Sequence, residues 1–311
     1  MTVATPHSRP LSNTATGSLT CTAAMTIVGT SIAVAPWLAD YPVLSGQAWR
    51  YLLAGLLLLL VLIARPTLTG VSRSTVRPLR KVSPGTVLAL VALAATGLAA
   101  FNWLLIEGTR HADPAFMASM VGATPLVLAL LGPWTSGLPL RLRTVIGSAI
   151  VMTGILLVHG ATAAPLAALP YGLGFLACEV AFTLLAVPVL KELTPLQLST
   201  AVCFLAVPML AAVSIAHPAP SLQIPTGTEA LALLYMAVLT TAVAFLLWYS
   251  GVARLGADRA GLFCGVMPIA SYLAGLALGS SVWAIPALTG VVLCGLGIVT
   301  GLSPGERPGT P

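Results

Sequence analysis

The stretches FNWLLIEGTRHADPAFMASMVGATPLVLALLG (residues 101–132) and AFLLWYSGVARLGADRAGLFCGVMPIASYLAGLALG (residues 244–279) decide how this chain is built. Laid one on the other, they share a register. Gly108 meets Gly251, Pro125 meets Pro268 and Gly132 meets Gly275, an offset of 143 residues (251 − 108). The same offset pairs Leu88 with Leu231, Gly147 with Gly290 and Gly154 with Gly297. Matches without gaps over that length mark two copies of one unit. Nearly everything that repeats is apolar. Two similar halves of a membrane protein create a seam near mid-membrane, where a solute site can face either side, so the pattern points to a transporter.

Composition supports the membrane setting. Charged residues are 7% of the 311 and hydrophobic residues 58%, with a mean hydropathy of +0.99. Soluble domains carry about 25% charged residues. The cysteines Cys21, Cys178, Cys203, Cys264 and Cys294 all lie in apolar stretches without CxxC spacing, as buried packing residues do. No His/Asp/Glu spacing supports a metal, and nothing calls for a cofactor. A GxxxxGK[ST] loop is absent, so direct use of ATP is not expected.

A hydrocarbon core about 30 Å thick needs roughly 20 apolar residues per helix. Ten such runs are expected, at about 19–39, 46–64, 86–106, 114–132, 143–161, 170–190, 197–216, 229–249, 260–279 and 282–301. The fold class is therefore an all-α integral membrane protein of ten transmembrane helices. Residues 19–161 and 170–301 are its two five-helix units, flanked by a disordered cytoplasmic tail (1–18) and a second cytoplasmic tail (302–311). An odd number of spans per unit turns the second unit upside down, which makes the repeat inverted.

The basic residues test this count. With a cytoplasmic N-terminus, 12 of the 14 Lys and Arg fall on the inner side and only Arg50 and Arg110 on the outer. That is the bias of multi-pass proteins of the cell membrane. It also explains the pI of about 9.4 without nucleic acid, since the cluster Arg73 to Lys81 has no aromatic interleaving. The expected partners are membrane lipid and a small-molecule substrate. Gly275-x-x-x-Gly279 and Gly297-x-x-x-Gly301 are packing surfaces that leave oligomerisation open.

Written out as spans 3–4 and 8–9, the two opening stretches resemble the drug/metabolite transporter superfamily, EamA type. Each is a helix with an aromatic-rich segment, a small-residue turn, then a helix with a mid-span proline. IGSAIVMTGILLV (146–158) and TGVVLCGLGIV (289–299) resemble the family's glycine-spaced fifth and tenth helices, and Arg50 in GQAWRYLLAGLLLLL fits its second. The resemblance covers roughly residues 19–301 and implies export of amino acids, other metabolites or drugs. One departure stands out. Halves of this family often carry LGE after the fourth and ninth helices, where this chain has LLGPWTSGLP and LALGSSVW.

Glu179 is the leading site candidate. It lies near the middle of span 6, where a charge costs about 2.5–3.5 kcal/mol on insertion scales and must face a cavity or a partner. Its candidate roles are proton carrier and counter-charge for a substrate amine, against the alternative of a neutral acid bonding a neighbouring helix. Thr183 shares its face at helical spacing. Asn102 in span 3 must point into the bundle, as a substrate contact or as helix–helix glue. Trp103, Thr241 and Trp248 are pocket candidates, set against the common role of aromatics as interface-belt residues. Thr241 and Trp248 stand two α-helical turns apart, on one face. Pro125 and Pro268 remove helix hydrogen bonds at repeat-equivalent positions and are hinge or gating candidates. Arg50, near the outer end of span 2, is a candidate for a structural role or for electrostatic gating, with Asp40 across the short loop as the candidate partner.

The favoured function is thus a secondary transporter exporting small amphipathic metabolites by alternating access, and not an enzyme; proton coupling through Glu179 is one option, with uniport and exchange left open. An enzyme acting on lipid would need acids, His or Ser clustered at one interface, and the inner loops are basic. A non-transporting scaffold or sensor derived from a transporter is the alternative that the missing loop glutamates keep open.

Overall fold

A computed structural model describes residues 13–69, 82–160, 166–216, 223–225 and 227–303. Helix α1 (Asn13–Thr30) runs into a 3-10 helix (Ser31–Leu38). Nine further helical elements follow: α2 (Val43–Thr69), α3 (Pro84–His111), α4 (Pro114–Ser136), α5 (Leu142–His159), α6 (Leu166–Val189), α7 (Pro195–Ala216), α8 (Gly227–Leu255), α9 (Ala257–Ala277) and α10 (Ile285–Leu302). Among the described residues these nine, with α2 counted as Val43–Ala64, are long and apolar enough to cross a membrane. The segment expected as a tail (1–18) is helical from Asn13 onward, and its first twelve residues lie outside the described set, as do 304–311 and the cluster from Arg73 to Lys81.

Local sequence sets the helix boundaries. The Ser83 hydroxyl accepts the Thr86 N–H at 3.2 Å ahead of Pro84, and the Asp113 carboxylate accepts that of Ala115 at 2.8 Å ahead of Pro114. Each is an N-cap followed by a proline that needs no amide partner. Gly137, in the left-handed region at φ 66°, closes α4. The outer faces are bare and apolar: the repeat mates Leu88 and Leu231 are 70% and 60% exposed. Such surfaces suit hydrocarbon.

Packing mixes the two repeats. Helix α1 lies against α8 and α9, whereas α6 lies against α3 and α4; α2 pairs with α7, and α5 with α10. The α5/α10 crossing is closest. A Cβ on Gly147 would fall 2.5 Å from the Gly297 carbonyl oxygen, and one on Gly290 would fall 2.5 Å from that of Gly154. Moving each residue of the first contact by the repeat offset gives the second contact, so the crossing maps onto itself when the halves are exchanged.

Two irregularities also repeat. Helix α3 contains a π-helical segment, Ala94–Ala100, and α8 contains another, Met236–Val243. Helix α4 is interrupted at Gly122 and Ala123, just before Pro125. Helix α9 passes through a 3-10 turn, Leu262–Gly265, just before Pro268. A proline cannot donate its amide and crowds the preceding turn, so both breaks fall on its N-terminal side.

A candidate solute cavity between the mixed bundles

Between the α1/α8/α9 group and the α3/α4/α6 group lies a cavity of about 390 Å³. One wall carries Ala24, Met25 and Val28 of α1, Thr240, Ala244, Phe245 and Trp248 of α8, and Cys264 and Met267 of α9. Facing it are Phe101, Asn102 and Leu105 of α3, Met117, Ala118, Val121 and Thr124 of α4, and Phe175, Glu179 and Phe182 of α6. Arg50 and Tyr51 of α2 complete one side and His159 of α5 the other. The floor is aromatic: the Phe182 ring lies 5.1 Å from that of Phe245 and 5.2 Å from that of Tyr249, joining α6 to α8.

The cavity is closed at one end only. For reference, the lower end holds the α4/α5 turn and the end of α10, and the upper end holds the α3/α4 turn. In α4 the lining extends from Pro114 down to Thr124; in α9 it consists of Cys264 and Met267. One turn below, the two helices meet. A Cβ on Gly132 would fall 2.7 Å from the Asp258 nitrogen, and one on Gly261 would fall 2.9 Å from the Leu128 Cβ. Arg141 and Asp258 form a 3.9 Å ion pair at the same place. At the upper end, Gly275, the repeat mate of Gly132, has its nearest neighbours in its own turn, Ser280 and Ser281. A recess of about 400 Å³ there shares Val28, His159 and Met267 with the main cavity and adds Pro268 and Ser271.

The expected site residues divide clearly. Glu179, Asn102, Trp248 and Arg50 line the cavity; Trp103, Thr183 and Thr241 do not. Among the described residues Glu179 has no hydrogen bond or ion pair to a side chain or to the backbone. Asn102 is 5% exposed, and its amide donates to the Leu98 carbonyl at 2.6 Å and to the Tyr51 hydroxyl at 3.5 Å. Trp103, its neighbour, faces away from the bundle at 39% exposure, and Thr183 is buried in helix packing.

Arg50 corrects an expectation. Its guanidinium turns inward instead of reaching Asp40, donating to the Thr241 hydroxyl, to the Gln47 side-chain oxygen at 3.2 Å and to the Thr240 carbonyl at 3.2 Å. It also lies 5.5 Å from the Tyr51 ring centroid. Thr241 is thus a buried anchor for Arg50, and Thr240 is the residue on the cavity wall. Pro125 lies behind the wall, while Pro268 lines the upper recess.

Two lining residues also carry an unpaired polar group. Trp248 Nε1 and the Thr124 hydroxyl are buried on cavity-lining residues without a hydrogen-bond partner. Unpaired polar groups in an apolar setting carry a cost that a polar ligand removes. The aromatics Tyr51, Phe101, Phe182 and Phe245 and the methionines Met25, Met117 and Met267 had no sequence signal, because each stands in an apolar helix as any core residue does. No group of three or more metal-ligating side chains occurs among the described residues.

Comparison with known proteins agrees with this architecture. Residues 15–160 and 159–301 each match the EamA-like transporter family. The chain is 26% identical over 265 residues to the "Uncharacterized transporter YyaM" of Bacillus subtilis (strain 168), covering 82% of this chain and 83% of that protein. It is 25% identical over 269 residues to "Uncharacterized transporter YetK" of the same organism, covering 81% and 76%. A crystal structure of a protein 20% identical in sequence shares the fold, with a TM-score of 0.77 over 93% of this chain and 98% of that one. Two tandem matches spanning nearly all of the described helices make this chain a member of the EamA-like transporter family, within the drug/metabolite transporter superfamily.

Proposed function

We propose that the protein is a secondary exporter of small amphipathic solutes, working by alternating access with Glu179 as the exchange site for a proton and a substrate amine. The observation that carries this reading is a cavity that holds an unpaired acid, is sealed below by α4 against α9 and continues upward past His159. Its chemistry fits the solute class: a carboxyl group for a cation, Trp248 Nε1 and the Thr124 hydroxyl for polar groups, and aromatic and methionine surface for an apolar body.

Topology follows from the same elements. Helix α1 with its 3-10 extension, 18 and 8 residues, is long enough to be the tenth span. Ten spans divide into two inverted units, and the self-mapping α5/α10 crossing is what a pseudo-two-fold axis between them requires. Among the described residues Arg65, Arg141, Arg143, Lys191, Arg254 and Arg259 stand at the lower end, against Arg50 and Arg110 at the upper. That bias favours the lower end as the cytoplasmic one. The described state then opens outward, and a proton entering from outside reaches Glu179 before a cytoplasmic solute does.

The opposite state follows from the repeat. The lower seal pairs Leu128 with Gly261 and Gly132 with Asp258. Shifted by the offset, these become Ser271 with Ala118 and Gly275 with Ala115, the contacts expected to close the upper end when the lower one opens.

The test is comparative metabolite analysis of cells overproducing the wild-type chain or Glu179→Gln at matched membrane levels. A solute that accumulates outside wild-type cells and not outside the variant supports the proposal. Equal accumulation with both would remove Glu179 from the mechanism, and no differential solute would favour a non-transporting role.

A further inference from the structure

Behind the lining of the solute cavity lies a hydroxyl without a partner. Tyr249 of α8 is fully buried, and its oxygen makes no hydrogen bond among the described residues. The ring is held between Phe182 and Phe245, with centroids 5.2 Å and 6.0 Å away, and it does not line the cavity. A phenylalanine would fill the same space without burying an unpaired polar group, which costs stability and returns none in this state. The repeat does not call for the hydroxyl either, since the equivalent residue (249 − 143 = 106) is Ile106.

Its place points to Glu179. Phe182, against which Tyr249 packs, follows Glu179 by about one turn of α6, and Tyr249 lies within electrostatic reach of the Glu179 carboxyl. Helices α6 and α8 both run downward, so Tyr249 stands level with the turn below the acid. The two residues also belong to different groups of helices, Glu179 to α3/α4/α6 and Tyr249 to α1/α8/α9. Exchanging the open ends moves one group against the other and changes the separation of carboxyl and hydroxyl. The other titratable groups around the acid are engaged, weak donors or on the open side. Arg50 of α2 is bonded to Thr241, Thr240 and Gln47, and Tyr51 beside it accepts from Asn102. Cys178 of α6, Cys203 of α7 and Cys264 of α9 are weak donors. His159 of α5 stands toward the upper recess, and the lining residues of α1, α3 and α4 include no titratable group.

We propose that Tyr249 is the state-dependent partner of Glu179: its hydroxyl donates to the Glu179 carboxylate when the lower end is open and the upper end closed. This rests on the proton-exchange role of Glu179. A proton drives a solute outward only if the exchange site holds it less tightly facing the cytoplasm than facing outside. In the described state no donor stabilises the carboxylate. In the lower-open state the Tyr249 O–H stabilises it, so the Glu179 O–H bond breaks, its proton passes to cytoplasmic water and the tyrosine keeps its own. The freed carboxylate is then ready for a substrate amine from the same side.

The test needs no identified solute. In the full chain with its native cysteines replaced by alanine, Ala118→Cys/Ser271→Cys is oxidised to close the upper end. Infrared difference spectra across a pH series then read the protonated carboxyl band that Glu179→Gln removes. Gly132→Leu, whose side chain would collide with the Asp258 backbone, supplies a second lower-open chain without a cross-link. At matched pH the band should be weaker by about twofold or more in the lower-open chains, and Tyr249→Phe should erase that difference. Tyr249→Phe should unfold at no lower temperature than its parent, because the hydroxyl has no bond to lose in the described state. An equal band in both states with Tyr249 present, a difference that survives Tyr249→Phe, or a clear fall in melting temperature would overturn the proposal. A carboxyl band absent throughout the pH series would overturn the proton role of Glu179 itself, and this assignment with it.

Discussion

At the residue scale, the account turns on Glu179, the acid placed among aromatic and sulfur-bearing side chains in mid-bundle. Replacing it with Gln keeps shape and removes titration, so efflux by Glu179→Gln should no longer respond to external pH, while wild-type efflux does; pH-jump efflux assays read this directly. Arg50 makes a different prediction. Its bonds to Thr241, Thr240 and Gln47 link α2 to the π segment of α8. Hydrogen bonds to charged groups are worth about 1.5–3 kcal/mol, so Arg50→Gln should lower thermal stability by at least that much. Glu179 was legible in sequence because an acid at that depth demands a cavity or a partner. Thr240 was not. Counting back seven residues from Trp248 along an α-helix gives Thr241, but the π segment Met236–Val243 inserts a residue and puts Thr240 on that face instead. The inward turn of Arg50 was hidden for the same reason, since its anchor lies on that segment.

At the scale of elements, the repeat was legible because glycine and proline leave marks that survive divergence. Glycines pair where two backbones approach, and the prolines sit where a helix breaks. Gly154→Val and Gly290→Val should each destabilise the chain by about 1–3 kcal/mol through overpacking at the α5/α10 crossing. Gly295→Val, on the same helix with nothing within 4 Å of its Cβ, should be close to neutral. Thermal unfolding of the three variants checks this; equal effects would separate the glycine pattern from the crossing. Sequence could not show which helices group together. Apolar faces in lipid look alike whichever neighbour they meet, so the exchange that sets α1 beside α8 and α9, and α6 beside α3 and α4, appears only in the structure.

For the whole molecule, the two claims to test are orientation and movement. Trp283, 75% exposed in the α9/α10 turn, stands at the upper end, and Leu138, 47% exposed in the α4/α5 turn, stands at the lower. In a chain with its native cysteines replaced by alanine, Trp283→Cys should react with an impermeant maleimide in intact cells, and Leu138→Cys only after permeabilisation. The reverse pattern would invert the topology and make the described state inward-open. Movement is tested most directly at the upper ends of α4 and α9, where Ala118 lines the main cavity and Ser271 the recess that adjoins it. The decisive measurement is efflux by the Ala118→Cys/Ser271→Cys chain before oxidation, after oxidation and after reduction. Alternating access predicts that a disulfide forms during turnover, that efflux stops with it and that reductant restores both. A disulfide that forms while efflux continues, or a pair that never cross-links in a working transporter, would contradict it.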